Sequence, residues 1–229
     1  MYTQRKIVAG NIYHVLSRGV DKRKIFSDDK DHLRFIHDLF EFNNIEPVNN
    51  LTYYFRKDIA RPYIKKPRKL LVEILTFCLM PNHYHLLLRP LTDEGVSKFM
   101  KRLNMGYAKY FNEKYQRSGA LFEGRYKAIL VETESHFIHL PYYIHLNPLD
   151  IIAPDWRKRK IKDYQKAMNF LENYRWSSFS DYIGKKNFPS ITSRELLMEF
   201  FEGPENYKKK TLNWLKEMNW ENIQEISLE

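Results

Sequence analysis

Cysteine is nearly absent from this sequence: Cys78 is the only one in 229 residues. No internal disulfide can form, and a reducing, cytoplasmic setting is expected. Long apolar runs are missing as well. No stretch approaches the roughly 20 residues that a membrane-spanning helix needs, so no membrane partner is expected. The opening MYTQRKIVAG (1–10) lacks the apolar segment of a secretory signal. Internal repeats and low-complexity tracts are also lacking. Negative charge is the minority sign, with 28 Asp and Glu against 38 Lys and Arg, a net charge of +10. That surplus favours a polyanionic partner, because Lys and Arg displace the counterions condensed on phosphates.

What is present is an ordinary globular composition, 43% hydrophobic and 29% charged. The length suits one compact domain with an appendage. Aromatic residues reach 15%, with 16 Tyr, and they interleave with basic residues in YYFRKDIARPYIKKPRKL (53–70) and WRKRKIKDYQK (156–166). Rings that stack on bases beside cations that track the backbone suit single-stranded nucleic acid. A solvated loop with some core-facing tyrosines would look similar.

Residues 11–18 alternate as a strand, with Ile12, His14 and Leu16 on one side and Tyr13, Val15 and Ser17 on the other. Ser27 or Asp28 is placed to cap a helix reaching about Asn43. The stretch 44–68 reads as a long loop. Leu70–Met80 and His83–Arg89 read as a hairpin about Pro81-Asn82. A helix from Asp93 stops before Ser118-Gly119. Ala120–Glu132 reads as a strand, and Thr133 or Ser135 caps a helix to about Leu146. The first six elements are the βαββαβ order of a ferredoxin-like antiparallel sheet, an α+β fold with helices on one face. Residues 1–150 form the expected catalytic domain. Residues 151–229 form a basic, mainly helical C-terminal appendage, in which RWSSFSDYIG (175–184) reads as a docking segment.

The sole His-x-His of the chain, His83-Tyr84-His85, opens a predicted strand, so both imidazoles project to one face and can chelate a metal. One packed and one exposed histidine would give the same spacing. In PYYIHLNPLD (141–150), Tyr143 and Asn147 are four apart and share a helix face. Asn147 offers a hard oxygen to complete a His, His, O site. Tyr143 would then lie where a divalent ion offsets the charge developing as a phenol attacks a phosphodiester. Tyr142 and Tyr143 as plain core residues is the competing reading. Pro141 removes a helix hydrogen bond, and a kink there would make Tyr142 the rival nucleophile.

MPNHYHLLLRP (80–90) followed by YYIHLNPL (142–149) resembles the single-tyrosine HUH transposases of the small insertion-sequence type, and most of all the REP-associated tyrosine transposases. The resemblance runs from NIYHVLSRG (11–19) through ALFEGRYKAILVE (120–132) to the LNP motif, and more weakly into RWSSFSDYIG. It implies His83 and His85 as metal ligands, Tyr143 as nucleophile and Asn147 at the third-ligand position, where many members carry Gln. Tyr142 stands where many relatives have a basic residue. The resemblance further implies Mg or Mn as cofactor and single-stranded or hairpin DNA as partner, which is nicked and rejoined through a 5′-phosphotyrosine. It is compatible with a homodimer.

Arg18, Arg125 and Lys127 are candidate phosphate contacts, the last two alternating outward on the strand before the tyrosine helix. His14 reads as packed rather than catalytic. Asn82 reads either as orienting a ligand or as forming the turn. His136, His139 and His145 carry no role. A domesticated DNA-binding protein that does not cut, a replication-initiator or relaxase-like nickase, and a ferredoxin-like RNA-binding module remain alternatives.

Overall fold

The computed structural model describes residues 7–46 and 68–217. Most of the loop expected over 44–68, and with it most of the aromatic and basic stretch 53–70, lies outside the described residues. The N-terminal part is built from β1 (Tyr13–Arg18), α1 (Asp29–Glu41), β2 (Val72–Met80), β3 (His83–Pro90), α2 (Gly95–Lys114), β4 (Lys127–Leu130) and α3 (Glu134–Leu146). The four strands form one antiparallel sheet in the order β2-β3-β1-β4. This is the expected βαββαβ arrangement, with α3 added.

Local chemistry sets the helix starts. Asp28 caps α1 by accepting from the Asp31 amide, and the Asp31 carboxylate reaches back to the Asp28 amide. Such a reciprocal cap is worth about 1 kcal/mol. Asp31 also accepts from Tyr110, Tyr115 and Lys114, which ties the start of α1 to the end of α2. Thr133 caps α3 by accepting from the His136 amide at 3.1 Å.

The pleat of the sheet divides the side chains between two cores. Val15, Tyr84, Leu86 and Leu88 enter the first core, with Phe35 and Leu39 of α1 and Phe99, Leu103 and Tyr107 of α2. Leu87, Cys78 and Met80 enter the second, beneath Leu140, Tyr143 and Leu146 of α3. A register shift between Ile74 and Thr76 lets Leu75 join the second core while Ile74 and Phe77 stay in the first.

The strand expected over 120–132 is shorter than its alternation suggests. Only Lys127–Leu130 pairs as β4, although Phe122 makes an isolated bridge to Gly19. Gly119 and Gly124 take φ of +84° and +63°, backbone that breaks an extended run.

The rest of the chain contributes α4 (Tyr164–Asn173), α5 (Phe179–Tyr182), α6 (Glu195–Phe200) and α7 (Pro204–Glu217). Trp156, Leu171, Phe179, Leu197, Phe201 and Tyr207 from this half belong to the second core. The appendage therefore covers the sheet face opposite α1 and α2. Its segment 176–178 runs along the outer edge of β2, where the Leu79 amide donates to Trp176 at 2.8 Å and the Ser178 amide to Phe77 at 3.0 Å. A sheet edge that would otherwise expose unpaired backbone is thereby closed. Trp176 also stacks on His32 at 4.4 Å, and His32 on Phe26 at 4.5 Å.

Candidate active site

The register of the sheet decides what surrounds the His pair. His83 lies opposite Arg18, His85 opposite Leu16, and Leu16 in turn opposite Lys127 on β4. Directly opposed residues of an antiparallel pair project to the same face. Arg18, His14 and Lys127 therefore share the face of His83 and His85. Tyr84 points the other way, into the first core, where its hydroxyl bonds Asn104. The His83 and His85 rings lie 4.9 Å apart at 86°.

Each ring is held through Nδ1. His83 Nδ1 is 2.7 Å from Asn82 Oδ1, and Asn82 Nδ2 donates to the Lys22 carbonyl at 3.2 Å. His85 Nδ1 is 2.9 Å from His14 Nε2, with the two rings stacked at 5.1 Å and 20°. His14 is packed, as its sequence position suggests, but it packs inside the site. Its same-face position on β1 was visible in the alternation. Its partner was not, because that contact depends on the β1–β3 register.

The tyrosine helix completes the cluster. It runs unbroken through Pro141. The buried Tyr143 ring sits edge-on to His85 at 5.6 Å and to His14 at 5.9 Å. Tyr142 turns instead toward the appendage, against Phe201 at 5.1 Å and Tyr207 at 5.2 Å, and burial raises its pKa. The two adjacent tyrosines are thus on different faces, with only Tyr143 beside the histidines. His145 is also turned to the appendage, between the Tyr207 hydroxyl at 2.6 Å and Ser178 Oγ at 2.7 Å. Burial lowers its pKa to about 3, so it is neutral at working pH. His139 receives the Trp214 indole N–H at 2.8 Å.

Asn147 stands just past the end of α3. Its Nδ2 donates to the Tyr143 carbonyl at 3.0 Å, and its Oδ1 accepts from Arg157 Nη2 at 2.8 Å. Arg157 also donates to Asp150, and its guanidinium carbon lies 5.8 Å from the Tyr143 ring centre. The sequence suggested 156–166 only as a basic aromatic stretch. In the fold Trp156 is core and Arg157 belongs to the tyrosine cluster, for which no spacing signal exists.

The phosphate-contact candidates separate. Arg18 pairs with Glu123 at 3.2 Å, and Lys127 is exposed on the histidine face of β4. Arg125 does not alternate outward on a strand as expected. It lies in the irregular segment before β4, exposed, directly after the positive-φ Gly124. The aromatic surplus also reads differently in the fold. Tyr84, Tyr107, Tyr143, Tyr182, Tyr207 and Trp156 are among the largest fully buried side chains, so much of it fills the cores rather than facing bases.

Among the described residues, no three His, Cys, Asp or Glu side chains are grouped to hold a metal ion by themselves. The His83 and His85 imidazoles fit as two ligands, since they share one face of the sheet with their rings 4.9 Å apart. A divalent ion there would complete its shell with oxygen donors: the Asn147 amide, water or a phosphate.

Residues 8–147 match the family model described as "Transposase IS200 like", a span that covers the whole sheet, α3 and Asn147. None of the curated proteins matches. Among solved structures, "Structure of the REP associates tyrosine transposase bound to a REP hairpin" is similar, with a TM-score of 0.50 and 13% identity. The match covers 86% of this chain and 93% of that one. At that identity the likeness speaks for the fold.

Proposed function

Because this chain belongs to the IS200-like transposase family, we propose that it is a single-strand DNA endonuclease and strand-transferase acting at hairpin-bearing DNA through a phosphotyrosine on Tyr143. The observation that carries the reading is the placement of the Tyr143 ring against His85 at 5.6 Å, while its neighbour Tyr142 faces away. A nucleophile beside a two-histidine pair is the arrangement that this chemistry needs.

In the proposed reaction the Tyr143 oxygen bonds to phosphorus as the bond from phosphorus to the 3′-oxygen breaks. The phenolic proton passes to solvent, and the departing 3′-oxygen takes one from solvent. The 5′-phosphate stays on the tyrosine, so the ester is conserved and rejoining by a 3′-hydroxyl needs no nucleotide cofactor. A Mg or Mn ion held by His83, His85 and the Asn147 oxygen would, when bound, polarise the phosphate and offset its developing charge. The Asn147 oxygen already accepts from Arg157, which leaves its second lone pair for the ion.

Arg18, Lys127 and Arg125 are the residues we assign to DNA phosphates. The first two share the histidine face of the sheet, and the net charge of +10 supports a nucleic-acid partner. The hairpin preference is carried over from the similar structure, which is described as bound to a REP hairpin. Residues 1–150 would hold the catalytic machinery, and 151–229 would form the appendage, whose described residues contribute to the second core. Among the described residues no helix is long and apolar enough to cross a membrane. With one cysteine in the chain, we assign it to the cytoplasm.

The test is a labelled single strand carrying a hairpin, incubated with Mn and resolved on a denaturing gel. The wild-type protein and Tyr142→Phe should form a covalent adduct that a chelator prevents, and Tyr143→Phe should form none. An adduct in Tyr143→Phe would overturn the nucleophile assignment. Tight hairpin binding with no adduct on any substrate would favour a DNA-binding protein that does not cut.

A further inference from the structure

We propose that Asn82 and His14 are positioning residues: each fixes the tautomer of one histidine of the pair, so that His83 and His85 both present an unprotonated Nε2 to a divalent cation. The inference rests on the metal-site reading above and deepens it.

At His83 the hydrogen bonds leave one assignment. The Lys22 carbonyl can only accept, so the Asn82 group 3.2 Å from it is the amide nitrogen. The other end of that amide, 2.7 Å from His83 Nδ1, is then the oxygen, which can only accept. His83 Nδ1 therefore carries the proton, and Nε2 carries the lone pair. The turn is itself pinned, because the Gly19 amide donates to the Asn82 carbonyl at 2.8 Å and the Lys22 amide to Gly19 at 2.9 Å. Asp21 and Lys22 at this turn take left-handed backbone, with φ of 54° and 56°.

At His85 the partner is a second imidazole, and only one proton lies between His85 Nδ1 and His14 Nε2. With the proton on His85, its Nε2 is free of hydrogen and can coordinate. With the proton on His14 Nε2, neutral His85 must carry its own on Nε2, which blocks coordination. His14 acting as acceptor is the arrangement compatible with a metal. Both rings are fully buried and stacked at 20°, so neither can swing to another partner without opening the core. An amide from the β2–β3 turn and an imidazole from β1 thus do the same thing to two rings. Packing alone would not require that.

Two measurements test it. In the metal-free protein, ¹⁵N shifts of the ring nitrogens report tautomers directly, and both His83 and His85 should be protonated on Nδ1. In parallel, Mn²⁺ affinity of the DNA-free protein is measured by electron paramagnetic resonance for His14→Phe, His14→Gln, Asn82→Ala, Asn82→Asp and His83→Ala, each with its melting temperature. Loss of such an orienting partner typically weakens metal binding by about 10- to 100-fold, and His14→Phe and Asn82→Ala should fall in that range. His14→Gln and Asn82→Asp keep an acceptor and should bind nearly as the wild type. Asn82 sits in a turn, so its variants keep the test open if buried His14→Phe does not fold. An Nε2-protonated His83 or His85 in the wild type would overturn the proposal. So would Mn²⁺ affinity unchanged in His14→Phe and Asn82→Ala, or a loss that the acceptor variants do not restore. If His83→Ala binds Mn²⁺ as the wild type does, the metal-site reading itself fails and the proposal fails with it.

Discussion

The amide oxygen of Asn147, at the end of the tyrosine helix, accepts a hydrogen bond at 2.8 Å from Arg157, ten residues further along the chain. The same oxygen is the one assigned to a metal. The guanidinium takes one of its two lone pairs and sets a positive charge beside it, so Arg157 opposes a cation at the third ligand position. Arg157→Ala should tighten Mn²⁺ binding by on the order of tenfold, the effect of removing one competing charge-assisted hydrogen bond. Arg157→Ala combined with Asn147→Ala should lose that gain. If Arg157→Ala binds Mn²⁺ no more tightly than wild type, Asn147 is not a ligand in the DNA-free protein.

Lys127 is exposed on the histidine face of the edge strand β4, whereas Arg18 on the same face is already paired with Glu123 at 3.2 Å. A free phosphate contact releases about one counterion. Lys127→Ala should therefore weaken hairpin binding in low salt and reduce the slope of log affinity against log salt by about 1. Arg18→Ala should do less, because its guanidinium is partly neutralised before DNA arrives. Fluorescence anisotropy over a salt series separates the two, and an unchanged slope in Lys127→Ala would remove it from the interface.

His145 joins the tyrosine helix to the appendage through Tyr207 and Ser178 without touching the His83–His85 pair. His145→Leu strips the buried Tyr207 hydroxyl of its partner, while Ser178 keeps the Phe77 backbone, and should cost about 1–3 kcal/mol. That corresponds to a melting temperature lower by roughly 2–12 °C. Well below its melting point the variant should still nick. Loss of nicking in a folded His145→Leu protein would instead place His145 in the catalytic machinery.

Glu172 in α4 bonds Lys185 and Lys208, each at 2.7 Å, and so ties α4 to α7. Burial raises its pKa, but the two lysine hydrogen bonds outweigh that and hold it below the ordinary 4.5. A depressed carboxyl stabilises the fold fully above the unfolded value, and the contribution disappears as pH falls through the folded value. Both lysines are about half exposed, so screening limits the effect to about 0.5–1 kcal/mol. Glu172→Gln should melt below wild type at pH 7 and level with it near pH 3, and salt should narrow the gap. A deficit that persists unchanged in acid would mean that Glu172 acts through packing.

The sequence by itself determined the parts that depend on short-range geometry. A period of two puts His83 and His85 on one face, a period near four puts Tyr143 and Asn147 on one side of a helix, and Asp28 and Thr133 mark helix starts. These follow from backbone geometry alone, so the βαββαβ order was legible along with them. Where the alternation ran across Gly124, it overstated β4 and carried Arg125 with it, because a positive φ interrupts a strand without disturbing the hydrophobic pattern.

Only the tertiary structure decided which long-range partners meet. His14 reaches His85 because β1 and β3 pair in one register, and a slip of one residue would send it to the opposite face. Tyr142 and Tyr143 look alike in sequence, and the appendage separates them by burying one against Phe201 and Tyr207. Arg157 arrives at Asn147 through the packing of Trp156 and the second core. Such contacts are set by the summed burial of side chains far apart in the chain, a quantity that no local window of sequence contains.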